Sequence, residues 1–285
     1  MILMKKTKLF FTLILLSVLN FSCSKDTSPE NPELETTSKL VKSEKISETR
    51  NVNYLYNEND LISSLNGIYN NFEYTSNFIY DSENRLTKWN YQESGSSSYS
   101  DSYIFTYDSN GLLSNYSGNT QNVTINYNDN IITLTGTIEG NANSQAEIEV
   151  NNNGLIIKLT ESNQYTKFGY DTDGNMISAH LYDNTDNLLS EFAIQYDNNI
   201  NPFYGQFESI YIERFIEFFW DFEGIFIGGF EGYDFPFFKN NIISIEKISG
   251  GKTLFSYAYD SENYPINVNI DYSGEAVNFD IEYFE

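Results

Sequence analysis

The chain has 285 residues, with 40 acidic and 16 basic side chains, one histidine and one cysteine. A formal net charge of −24 repels phosphate groups, so the composition argues against a DNA- or RNA-binding role. One cysteine cannot form an intramolecular disulfide, and one histidine cannot form a cluster of histidine ligands. We therefore expect no cofactor and no metal site.

The first 22 residues are typical of an export signal. Three lysines within the first eight residues precede an apolar run from Leu9 to Leu19, and Ser22 stands directly before Cys23. This arrangement resembles a bacterial lipoprotein signal, in which cleavage before the cysteine frees it for lipid attachment. The apolar run is shorter than the roughly 20 residues of a transmembrane helix. We predict a signal peptide at residues 1–22 and lipidation of Cys23.

Residues 23–50 are rich in Ser, Thr, Lys, Glu, Asn and Pro and contain few large apolar side chains. Such a composition is typical of a flexible tether. Its first four residues, Cys23 to Asp26, resemble the start of outer-membrane lipoproteins of the Bacteroidetes. The predicted location is the outer membrane, lipid-anchored, with the protein facing either the periplasm or the cell surface.

A seven-residue phrase recurs through the rest of the chain: Tyr, Asp or Asn, two polar residues, Gly or Asn, any residue, and an aliphatic residue. The clearest copies are Tyr80–Leu86, Tyr107–Leu113 and Tyr170–Met176, and looser copies begin at Tyr56, Tyr127, Val150, Tyr182, Tyr196 and Tyr259. Asp or Asn suits the first position of a type I turn, and Gly or Asn three positions later tolerates a positive φ. Each phrase therefore predicts a β-hairpin turn.

Apolar and polar residues alternate before these turns. Tyr103, Phe105 and Tyr107 share one face of their segment, while Ile104 and Thr106 share the other. A period of two indicates strands with one buried face, so the repeated tyrosine is predicted to point inward. Residues 51–285 are expected to form one all-β domain, an antiparallel meander of repeated hairpins curled into a barrel-like sheet.

One segment departs from the repeat. Residues 203–238 are dense in aromatic and acidic side chains, and several glycines follow a stretch, 207–220, that suits a short helix. Two interpretations stay open for this aromatic-rich irregular or helical insertion. It forms either a cap that buries its aromatic side chains against the sheet or an exposed binding patch.

The repeated phrase resembles the YD repeats of Rhs and teneurin shells. Residues 51–285 as a whole resemble a group of Bacteroidetes lipoproteins of unknown function described as having a porin-like fold. Two segments carry the closest similarity, Asn201 to Phe203 and Tyr257 to Pro265. At the second, similar proteins have the phrase Tyr-x-Tyr-Asp-x-x-Gly-Tyr-Pro, and this chain has Asn263 in place of the glycine. The resemblance implies the fold and adds a membrane-spanning barrel as an alternative, but it implies no activity.

Reactive groups form no recognisable motif. His180 is the only histidine, and a polar side chain on a strand explains it more simply than catalysis does. Asp171 to Asn175 imitates the start of a calcium loop, but the position of the expected bidentate glutamate holds Tyr182, and a hairpin turn explains these residues. We predict no catalytic residues.

The preferred function is a non-catalytic binding or structural module for a glycan or protein ligand. Trp89, Tyr91 and Trp220 are the candidate binding residues, because exposed aromatic rings offer stacking surfaces. The alternative is an extracellular enzyme that acts on polysaccharide through a carboxylate pair. A concave pocket with converging carboxylates would favour the enzyme, and a mainly aromatic surface would favour the binding module.

Lipidation of Cys23 can be tested in cells. The Cys23→Ala variant should lose incorporation of a fatty-acid analogue and should no longer partition with outer-membrane lipids. Equal labelling of the variant and the native chain would contradict the lipoprotein prediction.

Overall fold

The computed structural model describes residues 39–70, 72–95, 98–220, 227–248, 250–272 and 274–285. The predicted signal peptide, Cys23 and the first part of the tether lie outside these ranges. The described strands are β1 Val41–Ser47, β2 Arg50–Tyr56, β3 Ile62–Tyr69, β4 Phe72–Tyr80, β5 Leu86–Ser94, β6 Tyr99–Tyr107, β7 Leu113–Ser117, β8 Asn122–Asn128, β9 Ile131–Ile138, β10 Asn141–Val150, β11 Ile156–Thr160, β12 Gln164–Tyr170, β13 Met176–Asp183, β14 Leu188–Ile200, β15 Asn240–Lys247, β16 Lys252–Tyr259, β17 Pro265–Tyr272 and β18 Glu275–Tyr283.

These strands form one closed antiparallel barrel. Each strand pairs with its neighbours in sequence, and β1 also pairs with β18, with Glu44 opposite Ile281. The all-β, barrel-like meander predicted from the repeat is therefore confirmed. No described helix is long and apolar enough to cross a membrane.

Side chains divide between the two faces of the barrel as the alternation predicts. Phe105 is buried inside, while its neighbour Thr106 is exposed outside, and Asn278, Asp280 and Glu282 of β18 are exposed around buried Phe279 and Ile281. In a membrane-spanning barrel the outward face carries an apolar band and the interior is polar. The interior of this barrel is mainly apolar and the outward face of β18 is polar, which differs from that arrangement.

The repeated phrase forms a turn stabilised by its own acidic or amide side chain. Oδ1 of Asp108 accepts the N–H groups of Asn110 and Leu112, and Gly111 has φ +81°. The same pair of bonds, to residues two and four positions later, recurs at seven turns whose first side chains are Asn57, Asp81, Asp108, Asn151, Asp171, Asp183 and Asp260. The residue with positive φ is Gly, Asn or Asp in every one of them.

All of these turns except that at Asp183 lie where an even-numbered strand passes to the next odd-numbered strand. We call this end of the barrel the motif end, and the opposite end the far end. At the motif end, a tyrosine near the end of an even-numbered strand donates its hydroxyl to a carbonyl near the start of the preceding strand, over 2.6 to 2.9 Å. The tyrosines are Tyr80, Tyr107, Tyr127, Tyr170, Tyr196, Tyr257 and Tyr283. These hydroxyls connect neighbouring hairpins, since the turn itself connects only the strands within one hairpin.

Between β14 and β15, residues 201–220 and 227–239 pack inside the barrel, and we call these residues the plug. It contains helix α1, Tyr211–Phe219, where the sequence suited a short helix, and two 3₁₀ turns, Glu208–Ile210 and Gly232–Asp234. Its rings contact inward rings on strands around the barrel. The ring-centroid distances are 5.3 Å for Phe203 and Tyr54, 4.9 Å for Phe207 and Phe78, 4.8 Å for Phe215 and Phe168, and 5.6 Å for Phe230 and Phe279.

Two predicted boundaries need correction. The barrel does not begin at residue 51, because β1 starts at Val41 inside the predicted tether and pairs with both β2 and β18. The phrase at Tyr196 forms no hairpin turn, because β14 continues to Ile200 and the plug follows. Asp197, which the phrase places in a turn, accepts a hydrogen bond from the Tyr259 hydroxyl instead.

The turn chemistry predicts an unequal effect of two substitutions at Gly174. This residue has φ +86°, and a Cβ added there would meet no atom within 4 Å, so only backbone strain distinguishes the variants. Gly174→Val should lower the free energy of unfolding by about 1–3 kcal/mol, whereas Gly174→Asn should cost much less, since asparagine occupies the equivalent positions 84 and 263. Denaturant unfolding of both variants measures the difference, and equal stability would contradict this account of the turns.

Candidate functional site

A cleft of about 600 Å³ opens at the far end of the barrel, between the plug and the inward faces of β3 to β6. Six of its lining residues are tyrosines, and we call it the tyrosine cleft. Its lining includes Tyr69, Tyr74, Trp89, Tyr91, Tyr99 and Tyr103 from the strands, Arg214, Glu217, Phe218, Glu231, Tyr233 and Asp234 from the plug, and the strand carboxylates Glu93 and Asp101. Alternation places these strand side chains on the inner face, and the plug supplies the opposite wall.

Three tyrosines follow one another across neighbouring strands. The ring of Tyr91 lies 6.4 Å from that of Tyr74 on β4 and 6.2 Å from that of Tyr99 on β6. The Tyr91 hydroxyl donates to Glu93 Oε1 at 2.5 Å, which orients this ring. Tyr99 is 47% exposed, so the row extends from the interior to solvent. Such a row offers successive apolar faces to an elongated ligand.

Trp89 contributes to the wall rather than to an exposed surface. Its indole Nε1 donates to Ser76 Oγ at 2.9 Å, and the Arg214 guanidinium lies 4.9 Å from its ring centroid. Arg214 is buried and donates from Nε and a terminal nitrogen to both carboxylate oxygens of Glu213, each at 2.8 Å. Trp89 is half-buried, as is Tyr91, and Arg214 covers part of its ring face.

Residues 227–239 of the plug, which we call the returning arm, carry carboxyl groups with raised pKa values. Burial raises the pKa of Asp234 to about 6, although Arg214 lowers it. Burial, together with the charges of Asp234 and Glu44, raises the pKa of Glu231 to about 8. The Tyr74 hydroxyl donates to Glu231, so one wall tyrosine is attached to the plug.

Glu44 of β1 connects the barrel to this arm from behind the cleft. Its Oε2 accepts the Tyr54 hydroxyl at 2.5 Å and the backbone N–H of Glu231 at 3.1 Å, and the residue is 1% exposed. Burial raises the pKa of Glu44 to about 8, despite these hydrogen bonds, which lower it. Glu44 is therefore largely protonated near neutral pH.

A second carboxyl contact lies beside the cleft. Burial and the neighbouring carboxylate of Glu217 raise the pKa of Glu139 to about 7, and the two side chains are hydrogen-bonded. Retaining glycosidases hold their two carboxyl groups about 5–5.5 Å apart and inverting enzymes hold them farther apart. Direct contact between Glu139 and Glu217 is too close for either arrangement.

The other predicted residues lie away from the tyrosine cleft. Trp220 follows α1 and is half-buried, not exposed, and it lines a separate cavity of about 480 Å³ with residues of β10 and β11. His180 lies on the outward face of β13, 3.7 Å from Glu191. Asp171 accepts hydrogen bonds from its own turn, as the hairpin interpretation requires. Within the described ranges, no group of three or more His, Cys, Asp or Glu side chains could hold a metal ion.

Sequence reasoning missed Arg214, Glu231 and Asp234. The aromatic and acidic composition of residues 203–238 was the available signal, but it did not indicate which of its carboxylates would face β4 and β5. Tyr74 and Glu231 are separated by 157 residues, and only the path of the plug through the barrel brings them together.

The chain matches no protein-family model and no curated protein. Among solved structures, it is similar to a porin-like protein from Bacteroides uniformis, with 11% identity and a TM-score of 0.37 over 85% of this chain and 95% of that one. It is also similar to a TcdB2-TccC3-TEV structure, with 10% identity and a TM-score of 0.29 over 80% of this chain and 13% of the other. For the Photorhabdus luminescens Tc holotoxin pore, the identity is 9% and the TM-score 0.28, over 80% and 9% of the two chains.

The raised pKa of Glu44 predicts a pH dependence of stability. Between its ordinary value of 4.5 and about 8, the folded state binds more protons at Glu44 than the unfolded state does, so stability should fall as the pH rises through this window. Glu44→Gln keeps a neutral hydrogen-bonding group, so its stability should fall less steeply as the pH rises. Thermal melts across the window measure the two slopes.

Glu275→Gln, at an exposed position on β18, is the matched control for Glu44→Gln. It should retain the native slope. Parallel curves for the native chain and Glu44→Gln would show that Glu44 does not carry the proton linkage.

Proposed function

We propose that this chain is a lipid-anchored, non-catalytic binding module of the outer membrane that holds a glycan in the tyrosine cleft. The carrying observation is the row formed by Tyr74, Tyr91 and Tyr99 along an open cleft of about 600 Å³. Sugar rings have apolar faces and polar edges. A row of aromatic faces with carboxylates at its border complements both.

The rigidity of the wall supports binding at low entropic cost. Tyr91 is oriented by Glu93 and by two neighbouring rings, Tyr74 is bonded to Glu231, and Trp89 is fixed by Ser76 and Arg214. A ligand that stacks on rings already held in place immobilises few additional side chains.

An enzyme acting on polysaccharide is the second candidate, and Asp234 favours it. This carboxyl group has a pKa raised to about 6 and lines the same cleft as Glu217, as a general acid and its partner would. Against this assignment, Glu217 is hydrogen-bonded to Glu139, which removes it from an independent role as base or nucleophile.

The binding proposal predicts a loss of affinity in Tyr91→Ala. A glycan array first selects glycans that the native domain binds. Removal of the central ring should lower the affinity for these glycans about tenfold, equivalent to about 1.4 kcal/mol. Tyr165→Ala is the control, because Tyr165 lies on the outward face of β12 and stacks on Tyr182. Calorimetric titration of both folded variants separates the cases, and unchanged affinity in Tyr91→Ala would contradict the cleft assignment.

The enzyme is distinguished by hydrolysis assays on the same glycans. If the native domain binds without cleaving, the binding module is supported. If it cleaves, and Asp234→Asn abolishes cleavage while retaining affinity, the second candidate is correct and the first is wrong.

A further inference from the structure

The charge of the tyrosine cleft restricts the chemistry of its ligand. Five carboxyl groups line it, from Glu93, Asp101, Glu217, Glu231 and Asp234, and Arg214 is the one basic side chain in this lining. Burial raises the pKa of Glu231 to about 8, so this group is largely protonated near neutral pH, and the negative charge of the cleft comes from the other four. Arg214 already forms a two-point ion pair with Glu213. An anionic ligand would therefore meet repulsion that no described basic group of the cleft compensates.

The aromatic wall attracts cations by an independent mechanism. The face of an aromatic ring is electron-rich, and a cation within about 6 Å of its centroid is stabilised. Two rings of this lining already bind cations of the chain itself. The Arg50 guanidinium lies 4.9 Å from the Tyr69 centroid, and the Arg214 guanidinium lies 4.9 Å from the Trp89 centroid.

The row between these two rings has no such intramolecular cation among the described contacts. Tyr91 contacts both Tyr74 and Tyr99, and the hydroxyl groups of the three rings are directed to the carboxyl groups of Glu231, Glu93 and Asp101. A ligand in the row thus meets aromatic faces with the carboxylates of Glu93 and Asp101 beside Tyr91 and Tyr99. An ammonium group is attracted both by the ring faces and by the carboxylates. A neutral hydroxyl group carries no charge that either of them would attract.

We propose that the ligand of the tyrosine cleft is a glycan of amino sugars whose amines are free and protonated. This inference rests on the proposed glycan-binding function and specifies its ligand class. The sugar ring stacks on the tyrosines, and each ammonium group lies between a ring face and a carboxylate, where it donates hydrogen bonds to the carboxylate oxygens.

The test compares two oligosaccharides that differ only at nitrogen: glucosamine oligomers with free amines and the fully N-acetylated oligomers of the same length. Calorimetric titration of the native domain at pH 6 should show the free-amine oligomer binding at least tenfold more tightly. The preference should shrink with added salt, because an exposed ion pair is screened.

Glu93→Gln tests the site of this preference without disturbing the buried plug. It should reduce affinity for the free-amine oligomer several-fold more than affinity for the N-acetylated oligomer, because glutamine can still accept the Tyr91 hydroxyl but carries no charge. Glu147→Gln, on the outward face of β10, is the control that keeps the global charge equal to that of Glu93→Gln and should retain the native preference. Equal losses in both variants would assign the preference to net charge and overturn the inference.

Different results would contradict the amino-sugar ligand and the glycan-binding function on which it rests. Tight binding of the N-acetylated oligomer, equal to or better than that of the free-amine oligomer, would overturn the amine requirement and leave glycan binding intact. If neither these oligomers nor any glycan on an array binds, the proposed function fails, and the inference fails with it.

Discussion

An eighteen-stranded ring encloses more space than its own inward side chains can fill, and this constraint explains the rest of the molecule. Barrels of about this size otherwise enclose an aqueous channel. Here the chain interrupts its meander between β14 and β15, and the described residues of the plug, 201–220 and 227–239, lie inside. The inward face of each strand then packs against aromatic side chains of the plug. The repeat and the aromatic-rich segment are two parts of one core.

The plug also creates the cleft, because it does not fill the barrel evenly. Its first turns are bonded to the motif end, where Gln206 accepts the N–H of Ile62 and Ser209 accepts the N–H of Leu86. At the far end, α1 and the returning arm leave a space beside β3 to β6. Charged groups of the plug line this space, among them Arg214, Glu217, Glu231 and Asp234.

Much of the architecture could be predicted from the sequence because each copy of the repeat forms its turn through local hydrogen bonds. An Asp or Asn that accepts two backbone N–H groups closes a turn without help from distant residues. The start of the barrel was missed for the opposite reason. The buried positions of β1 include Ser43 and Glu44, so the strand has the composition of a tether, and Glu44 is tolerated in the interior because Tyr54 and Glu231 donate hydrogen bonds to it. Tyr91 was recognised as a candidate, but the plug residues that line the same cleft depend on long-range packing that no local pattern records.

The seam between β1 and β18 gives the barrel a particular folding problem. Every other strand pairing joins sequence neighbours, and short-range hairpins form early and independently. The seam joins residues about as far apart as the domain allows, as in the pair of Lys45 and Asp280. Until it closes, β18 presents an unpaired edge, and unpaired edges invite pairing between chains. The interval between formation of the hairpins and pairing of β18 with β1 is therefore the one in which this protein is most exposed to aggregation.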